Sequence, residues 1–140
     1  MRSVFDQVKN VNAIRPLAAS AAQTSAAIDT TGFESATVVI NNGASTGTPD
    51  SYAVDAKVQD CATSGGSYAD VTGAAIVQIT ADSKLATIRL DGLNGAIKRY
   101  IKVVVTPALV GGTSPKALIG ATVHLGRATK QPVSNSATGA

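Results

Sequence analysis

Apolar and polar residues alternate along most of the chain, in short runs separated by Gly, Pro, Asn and Asp. The clearest run covers residues 52–59, where Tyr52, Val54, Ala56 and Val58 occupy every even position. A period of two places successive side chains on opposite faces of a β-strand. The same period recurs over 36–40, 85–90, 97–106 and 117–125. About eight short strands and no helix of ordinary length predict an all-β fold, either an antiparallel sandwich or a barrel. Eight strands suit a β-sandwich of jelly-roll type.

Turn-forming residues predict how these strands are connected. Residues 91–95 (Asp-Gly-Leu-Asn-Gly) carry two turn signals and predict a hairpin between strands 85–90 and 97–106. Residues 42–50 and 107–115 are rich in Gly, Pro, Asn and Thr and are predicted to be loops. The β-sandwich domain is therefore assigned to residues 13–125.

The two ends of the chain are predicted to be appendages: an N-terminal arm, residues 1–12, and a C-terminal tail, residues 126–140. Val4, Phe5 and Val8 fall near one face of a short helix, which is too short to be stable alone in water. The tail has no hydrophobic periodicity. Each end either frays or becomes ordered on a partner.

Composition excludes several classes of protein. Ala, Gly, Ser, Thr and Val make up more than half of the 140 residues, and 44% of residues are hydrophobic. That fraction, with a net charge of only +3, argues against disorder. No stretch approaches the roughly 18 apolar residues of a membrane span, and the N-terminus lacks the apolar core of a signal peptide. We therefore expect no membrane association and a protein that is made and kept in the cytoplasm.

Candidate catalytic residues are few. A single cysteine, Cys61, and a single histidine, His124, permit neither an intrachain disulfide nor a standard zinc site. Asp60 next to Cys61 is expected to raise the pKa of the thiol, and no base is paired with a nucleophile. The glycine-rich loops lack the following Lys-Ser/Thr of a phosphate-binding loop. We predict no enzyme, cofactor or metal site, which leaves a small hydrolase as the least supported alternative.

Charge is distributed unevenly along the chain. Residues 1–80 carry four bases and seven acids, a net charge of −3, whereas residues 81–140 carry eight bases and two acids, a net charge of +6. Such asymmetry either marks an electrostatic contact surface or balances two halves of one domain. Lys98, Arg99 and Lys102 surround one aromatic residue, Tyr100, too few cations and rings to favour nucleic acid over a partner's acidic surface. Arg99 falls on the apolar face of its strand and is expected to pair or to reach out to solvent. The candidate partner-contact residues are Val4, Phe5, Val8, Lys98, Arg99, Lys102, Arg127 and Lys130.

Several short segments carry a family resemblance. They are 29–33 (Asp-Thr-Thr-Gly-Phe) with 36–40 (Ala-Thr-Val-Val-Ile), 57–60 (Lys-Val-Gln-Asp), 68–74 (Tyr-Ala-Asp-Val-Thr-Gly-Ala), and 95–103, which contains Lys98-Arg99-Tyr100-Ile101-Lys102. With these segments, residues 12–125 resemble the capsid cement, or decoration, proteins of tailed bacteriophages.

This resemblance implies a location and partners. It implies a jelly-roll protein on the outer surface of the virion capsid, present in the host cytoplasm before assembly, which clasps neighbouring subunits of the major capsid protein. It also implies self-association as a homodimer and supplies no catalytic residues. A tail, neck or fibre-associated virion module, for instance one that recognises a host glycan, is the alternative.

Overall fold

A computed structural model describes residues 3–130 and residue 133. It contains one short helix, α1 (Val4–Gln7), and nine strands. The strands are β1 (Lys9–Ala19), β2 (Gln23–Thr24), β3 (Ile28–Asp29), β4 (Ser35–Thr46), β5 (Ser51–Cys61), β6 (Ala69–Ala75), β7 (Leu85–Asp91), β8 (Tyr100–Val110) and β9 (Lys116–Gly126). In this part of the chain no helix has the length and apolarity needed to cross a membrane.

The strands form two antiparallel sheets. The first sheet has the order β1-β9-β4-β7. In the second, β8 pairs with β5, β5 pairs with β6, and the short strands β2 and β3 share the other edge of β8. Counting β2 and β3 as one interrupted strand gives eight strand positions in two interlocked Greek keys. The predicted β-sandwich of jelly-roll type is therefore confirmed.

The core lies between the two sheets and is built from the alternating apolar positions of the sequence. The first sheet contributes residues such as Val38, Ile40 and Val123, and the second contributes Val54 and Val58, none of which is exposed to solvent. Each aliphatic side chain of this size stabilises the fold by about 1.5–3 kcal/mol when it is fully buried. Small inward residues such as Ala36 and Ala117 fill the remaining space.

The predicted hairpin at residues 91–95 is wrong. Strand β7 pairs with β4 in the first sheet, whereas β8 pairs with β5 in the second sheet. Residues 92–99 therefore carry the chain from one sheet to the other, although Gly92 and Asn94 adopt the positive φ expected of turn residues. Turn signals report a local change of direction, but they do not specify which strand the next segment joins.

Three strands are longer than the sequence pattern predicts. Strand β1 begins at Lys9, so residues 9–12, assigned above to the arm, pair with β9. Strand β4 continues through Thr46, into the predicted loop 42–50. Strand β8 continues through Pro107, which was assigned to a loop. At Pro107 the strand pairs only with Val54 of β5, because β2 ends its pairing at Val105. The missing N–H of proline is tolerated where a strand has no neighbour on that side.

Candidate interaction surfaces

Both terminal segments leave the sandwich at the same end. Strand β1 begins and β9 ends there, since Lys9 pairs with Leu125. Strand β4 begins there as well, because Ser35 pairs with Gly126. We call this end, where the chain termini emerge, the terminal end. The loop from β3 to β4 and the start of β8 also lie there, because Thr30 N–H donates a hydrogen bond to the carbonyl of Arg99 at 3.0 Å.

The N-terminal arm lies at the terminal end, on the first sheet. The side chains of Val4 and Phe5 are 76% and 63% exposed, whereas Val8 is half-buried. Together with Asn10, Thr37 and His124 they line a shallow groove of about 470 Å³. The arm also meets the C-terminal segment, because Val133 N–H donates to the carbonyl of Asp6 at 2.9 Å.

The two arginines among the predicted contact residues have intramolecular partners. Arg99 forms a two-point ion pair with Asp29, which confirms the expectation that this arginine is paired. Its guanidinium also lies 4.9 Å from the centroid of the Tyr100 ring. Arg127 Nε lies 3.5 Å from Glu34 Oε2. Arg99 therefore holds the end of β3, and Arg127 holds the β3–β4 loop, against neighbouring segments, which leaves both arginines less available to a partner.

The three lysines of the set are differently placed. Lys98 and Lys130 are exposed and form no ion pair with any residue in the ranges 3–130 and 133. The Nζ of Lys102 lies 4.4 Å from the centroid of the Tyr68 ring, on the outer face of the second sheet. No carboxylate of a described residue forms an ion pair with any of these three ammonium groups.

The candidate nucleophile and base lie on different sheets. Cys61 ends β5, whereas His124 is on β9 and shares hydrogen bonds with Asn10 and Thr122. The pKa of Cys61 is lowered, chiefly by a hydrogen bond from the backbone N–H of Thr63. The expected increase caused by Asp60 is wrong, because hydrogen bonds from Thr63 outweigh the effect of burial on the thiol. The Asp60 carboxylate instead accepts a hydrogen bond from Lys98 N–H at 2.9 Å. Within the described residues, no three His, Cys, Asp or Glu side chains are grouped to hold a metal ion.

The outer face of the first sheet carries few charges over its two central strands. Strand β4 has no charged residue, and β9 has only Lys116, at its start. Cross-strand register places Asn10, His124 and Thr37 side by side, and the same row continues to the exposed Arg89 of β7, which pairs with Asp91 at 2.8 Å. The next outward row contains Asn12, Thr122, Val39 and Thr87. We call the surface over β9 and β4 the uncharged face.

An apolar groove of about 440 Å³ opens on the uncharged face, farther from the terminal end. Its apolar lining includes Ile14, Pro16, Leu17, Val39, Leu85 and Leu118. Sequence reasoning missed this groove, because outward positions of a strand pattern were counted as polar. The absence of charged residues along β4 could have indicated this groove from the sequence.

The outer face of the second sheet is charged and internally paired. Lys57 Nζ lies 3.0 Å from Asp70 Oδ2, and Gln59 donates to the other oxygen of Asp70 at 2.8 Å. The hydrogen bond from Gln59 is the largest cause that lowers the pKa of Asp70. Gln78 donates to Asp55 at 2.9 Å. The outer face of the second sheet therefore carries more charge than the uncharged face.

Similarity to known proteins is limited to structure. No protein-family model and no curated protein matches the chain. Among solved structures, it is similar to a chain of infectious bursal disease virus Gx strain, with a TM-score of 0.49 and 12% identity over 90% of this chain and 34% of that chain. It spans about a third of that viral chain. It is also similar to the SPBc2 prophage-derived protein YomS, with a TM-score of 0.43 and 13% identity over 89% and 98% of the two chains. A third likeness is to an acetyl xylan esterase from Butyrivibrio proteoclasticus, with a TM-score of 0.36, 9% identity, and coverage of 97% and 33%.

Proposed function

We propose that this protein is a structural virion protein that binds the outer surface of a bacteriophage capsid and clamps neighbouring major capsid protein subunits. The observation that carries the proposal is the position of the predicted contact segments in the fold. The three segments that contain the predicted contact residues, 4–8, 98–102 and 127–130, lie at or near the terminal end of the jelly roll. The resemblance to capsid cement proteins supplies the identity of the partner.

Lysines of the terminal end are the main electrostatic contact in this proposal. Lys98 and Lys130 have no carboxylate partner among the described residues, and Lys102 faces an aromatic ring. They suit an acidic surface on the capsid. A single contact of this kind is weak in water, typically about 0–1 kcal/mol for an exposed ion pair. A symmetric shell presents the same contact many times, so a protein that engages two subunits at once gains from effective concentration.

Self-association and location belong to the same proposal. A homodimer contacts two shell subunits, which is the simplest way for a small protein to clamp them. The protein resides in the host cytoplasm before assembly and on the outer capsid surface afterwards. We also propose that it has no enzymatic activity, because Cys61 and His124 lie on different sheets.

One feature of the tyrosines disfavours the alternative of a glycan-binding tail or fibre module. Sugar-binding sandwiches stack a sugar ring on an open aromatic face. Here Lys102 lies over the Tyr68 ring and Arg99 lies over the Tyr100 ring. A sugar that stacked on either of those faces would have to displace a cation.

Pelleting with capsids assembled without this protein tests the proposal. The double variant Lys98→Glu/Lys130→Glu is compared with Lys84→Glu/Lys116→Glu, which makes the same change of net charge at the far ends of β7 and β9. We expect the first variant to bind at least about tenfold more weakly and the second to bind nearly as wild type. Wild-type binding should weaken as the salt concentration rises from about 0.05 to about 0.5 M, because the Debye length then falls below about 10 Å and exposed charges are screened. Equal losses in the two variants, or no binding by the wild type, would contradict the proposal.

A further inference from the structure

We infer that Asn94 is a self-modification site, at which the backbone nitrogen of Gly95 converts the side-chain amide into a carboxylate without any enzyme. This reaction lies outside the proposed function and needs no capsid. The chain contains two Asn-Gly pairs, Asn42-Gly43 and Asn94-Gly95. The fold places these two pairs in opposite environments.

An asparagine that precedes a glycine reacts with its own main chain. The Gly95 nitrogen attacks the side-chain carbonyl carbon of Asn94, loses its proton to water or hydroxide, and closes a succinimide ring. The bond from that carbon to Nδ2 breaks, and ammonia leaves. Water then opens the ring at either carbonyl, which yields aspartate or isoaspartate. Glycine favours the attack because it has no side chain beside the nitrogen and a freely rotating backbone.

The Asn94-Gly95 pair lies in an exposed turn of the connection between β7 and β8. Three hydrogen bonds hold the reacting groups: Gly95 N–H donates to the Gly92 carbonyl at 3.2 Å, and Asn94 Nδ2 donates to the carbonyls of Thr30 at 2.8 Å and Phe33 at 3.2 Å. All three lie outside the paired strands. The turn therefore opens to water by a local fluctuation that leaves both sheets intact.

The Asn42-Gly43 pair is protected by the sheet that contains it. Asn42 is 1% exposed and lies within β4, between β7 and β9. Its side-chain amide donates to the Tyr52 hydroxyl and accepts from Lys84 N–H. Water and the necessary backbone rotation reach this pair only when the sheet opens, which costs a free energy near that of global unfolding. In the native protein Asn94 therefore reacts and Asn42 does not.

The product weakens the fold where it forms. A carboxylate has no N–H to donate, so the carbonyls of Thr30 and Phe33 lose their donor and face a negative charge. Both carbonyls belong to the β3–β4 loop, at the terminal end. Isoaspartate also adds a carbon atom to the main chain of the turn. Conversion of Asn94 therefore releases the β3–β4 loop from the β7–β8 connection at this point.

Peptide mapping by mass spectrometry measures the reaction in the purified full-length protein at mildly alkaline pH. The mass change from –NH2 to –OH is located at each asparagine over time. We expect Asn94 to be converted at least about tenfold faster than Asn42 in the native protein, and at a similar rate in concentrated urea. Asn12, which is exposed and precedes alanine, is the internal control and should stay unchanged. Equal native rates at Asn94 and Asn42, or conversion of Asn94 no faster than that of Asn12, would overturn the inference.

Gly95→Ala tests the role of the attacking nitrogen. A Cβ on Gly95 would lie 3.5 Å from its nearest neighbour, the Gly92 carbonyl oxygen, which is an ordinary contact. The turn therefore accepts alanine, and the added side chain should slow conversion of Asn94 at least about tenfold. Conversion at the wild-type rate would mean that Gly95 is not the attacking group.

Melting temperatures test the consequence for the fold. Asn94→Asp reproduces the aspartate product and should melt below wild type, whereas Asn12→Asp adds the same charge on β1 and should be nearly neutral. Asn94→Gly accepts the φ of +61° without strain and removes the amide without adding a charge, so it should melt between Asn94→Asp and wild type. Equal melting temperatures for Asn94→Asp and Asn12→Asp would overturn the release of the loop.

Discussion

Asp29 and Arg99, 70 residues apart in the chain, form a two-point ion pair that holds the end of β3 against the start of β8. Arg99 Nε donates to Asp29 Oδ1 at 3.0 Å, and a terminal guanidinium nitrogen donates to Oδ2 at 2.9 Å. The backbone N–H and the hydroxyl of Thr31 also donate to Asp29. The hydrogen bond from Arg99 is the largest cause that holds the pKa of Asp29 far below its usual value of 3.8.

The Asp29–Arg99 pair predicts a specific pH dependence. A carboxyl whose pKa is lower in the folded state stabilises the fold fully above its unfolded pKa of about 3.9 and loses that contribution as pH falls toward the folded value. We expect Asp29→Asn to lower the melting temperature at pH 7, and its difference from wild type to shrink below pH 4. The effect is modest, because both side chains are about half exposed. Melting curves from pH 2 to pH 7 measure it, with Asp82→Asn in an exposed turn as the control. A difference that stays constant across this range would contradict the account.

The buried side chain of Asn42 holds the long connection between β6 and β7 in place through hydrogen bonds. Asn42 is 1% exposed, and its Nδ2 donates to the Tyr52 hydroxyl at 2.6 Å and to the Ala81 carbonyl at 3.2 Å. Its Oδ1 accepts from the backbone N–H of Lys84 at 2.9 Å. Asn42→Ala leaves these groups without partners and should cost about 2–4 kcal/mol of unfolding free energy.

Urea denaturation measures that cost in a graded series. Tyr52→Phe removes one hydroxyl from the same network and should cost less, about 1 kcal/mol. Ser51→Ala changes a neighbouring exposed residue and should be nearly neutral. If Asn42→Ala were no more destabilising than Ser51→Ala, the amide would not be fastening this connection.

Two loops at the end opposite the termini touch through glycines. Thr113 N–H donates to the Gly47 carbonyl at 2.9 Å, and Gly112 has a φ of +70°. A Cβ on Gly112 would collide with the carbonyl oxygens of Gly47 and Thr48. We expect Gly112→Ala to cost about 2 kcal/mol or more, from left-handed backbone strain and from this collision. Gly65→Ala is the control, since nothing lies within 4 Å of a Cβ there. Equal thermal stability of the two variants would be the contrary result.

The sequence predicted the sandwich because its core follows strict alternation, as in Tyr52 to Val58. It predicted shorter strands at two places where polar or cyclic residues lie inside a strand. Asn42 points into the core, although it was assigned to a loop. Its burial could not be predicted from nearby residues, because its hydrogen-bond partners are residues 52, 81 and 84. Pro107 was assigned to a loop because proline is rare inside a paired strand. At Pro107, β8 has a neighbouring strand on one side only, and that arrangement depends on the whole sheet and cannot be read from residues near 107.

Candidate contact residues were only partly predictable, for a related physical reason. Charge and closeness in the sequence identified Lys98, Arg99 and Lys102 as one cluster, but Arg99 has its carboxylate partner 70 residues away. The uncharged face depends on which strands are neighbours. Only the order β1-β9-β4-β7 brings Leu85 and Leu118 to one groove.

Heat resistance of phage shells tests the central claim most directly. Shells assembled from the major capsid protein alone are compared with the same shells saturated with this protein, and release of an enclosed dye is followed as temperature rises. The clamping account predicts stoichiometric binding and a clear rise in the temperature at which shells open, with little rise for the Lys98→Glu/Lys130→Glu variant. Saturated shells that open at the same temperature as bare shells would contradict it.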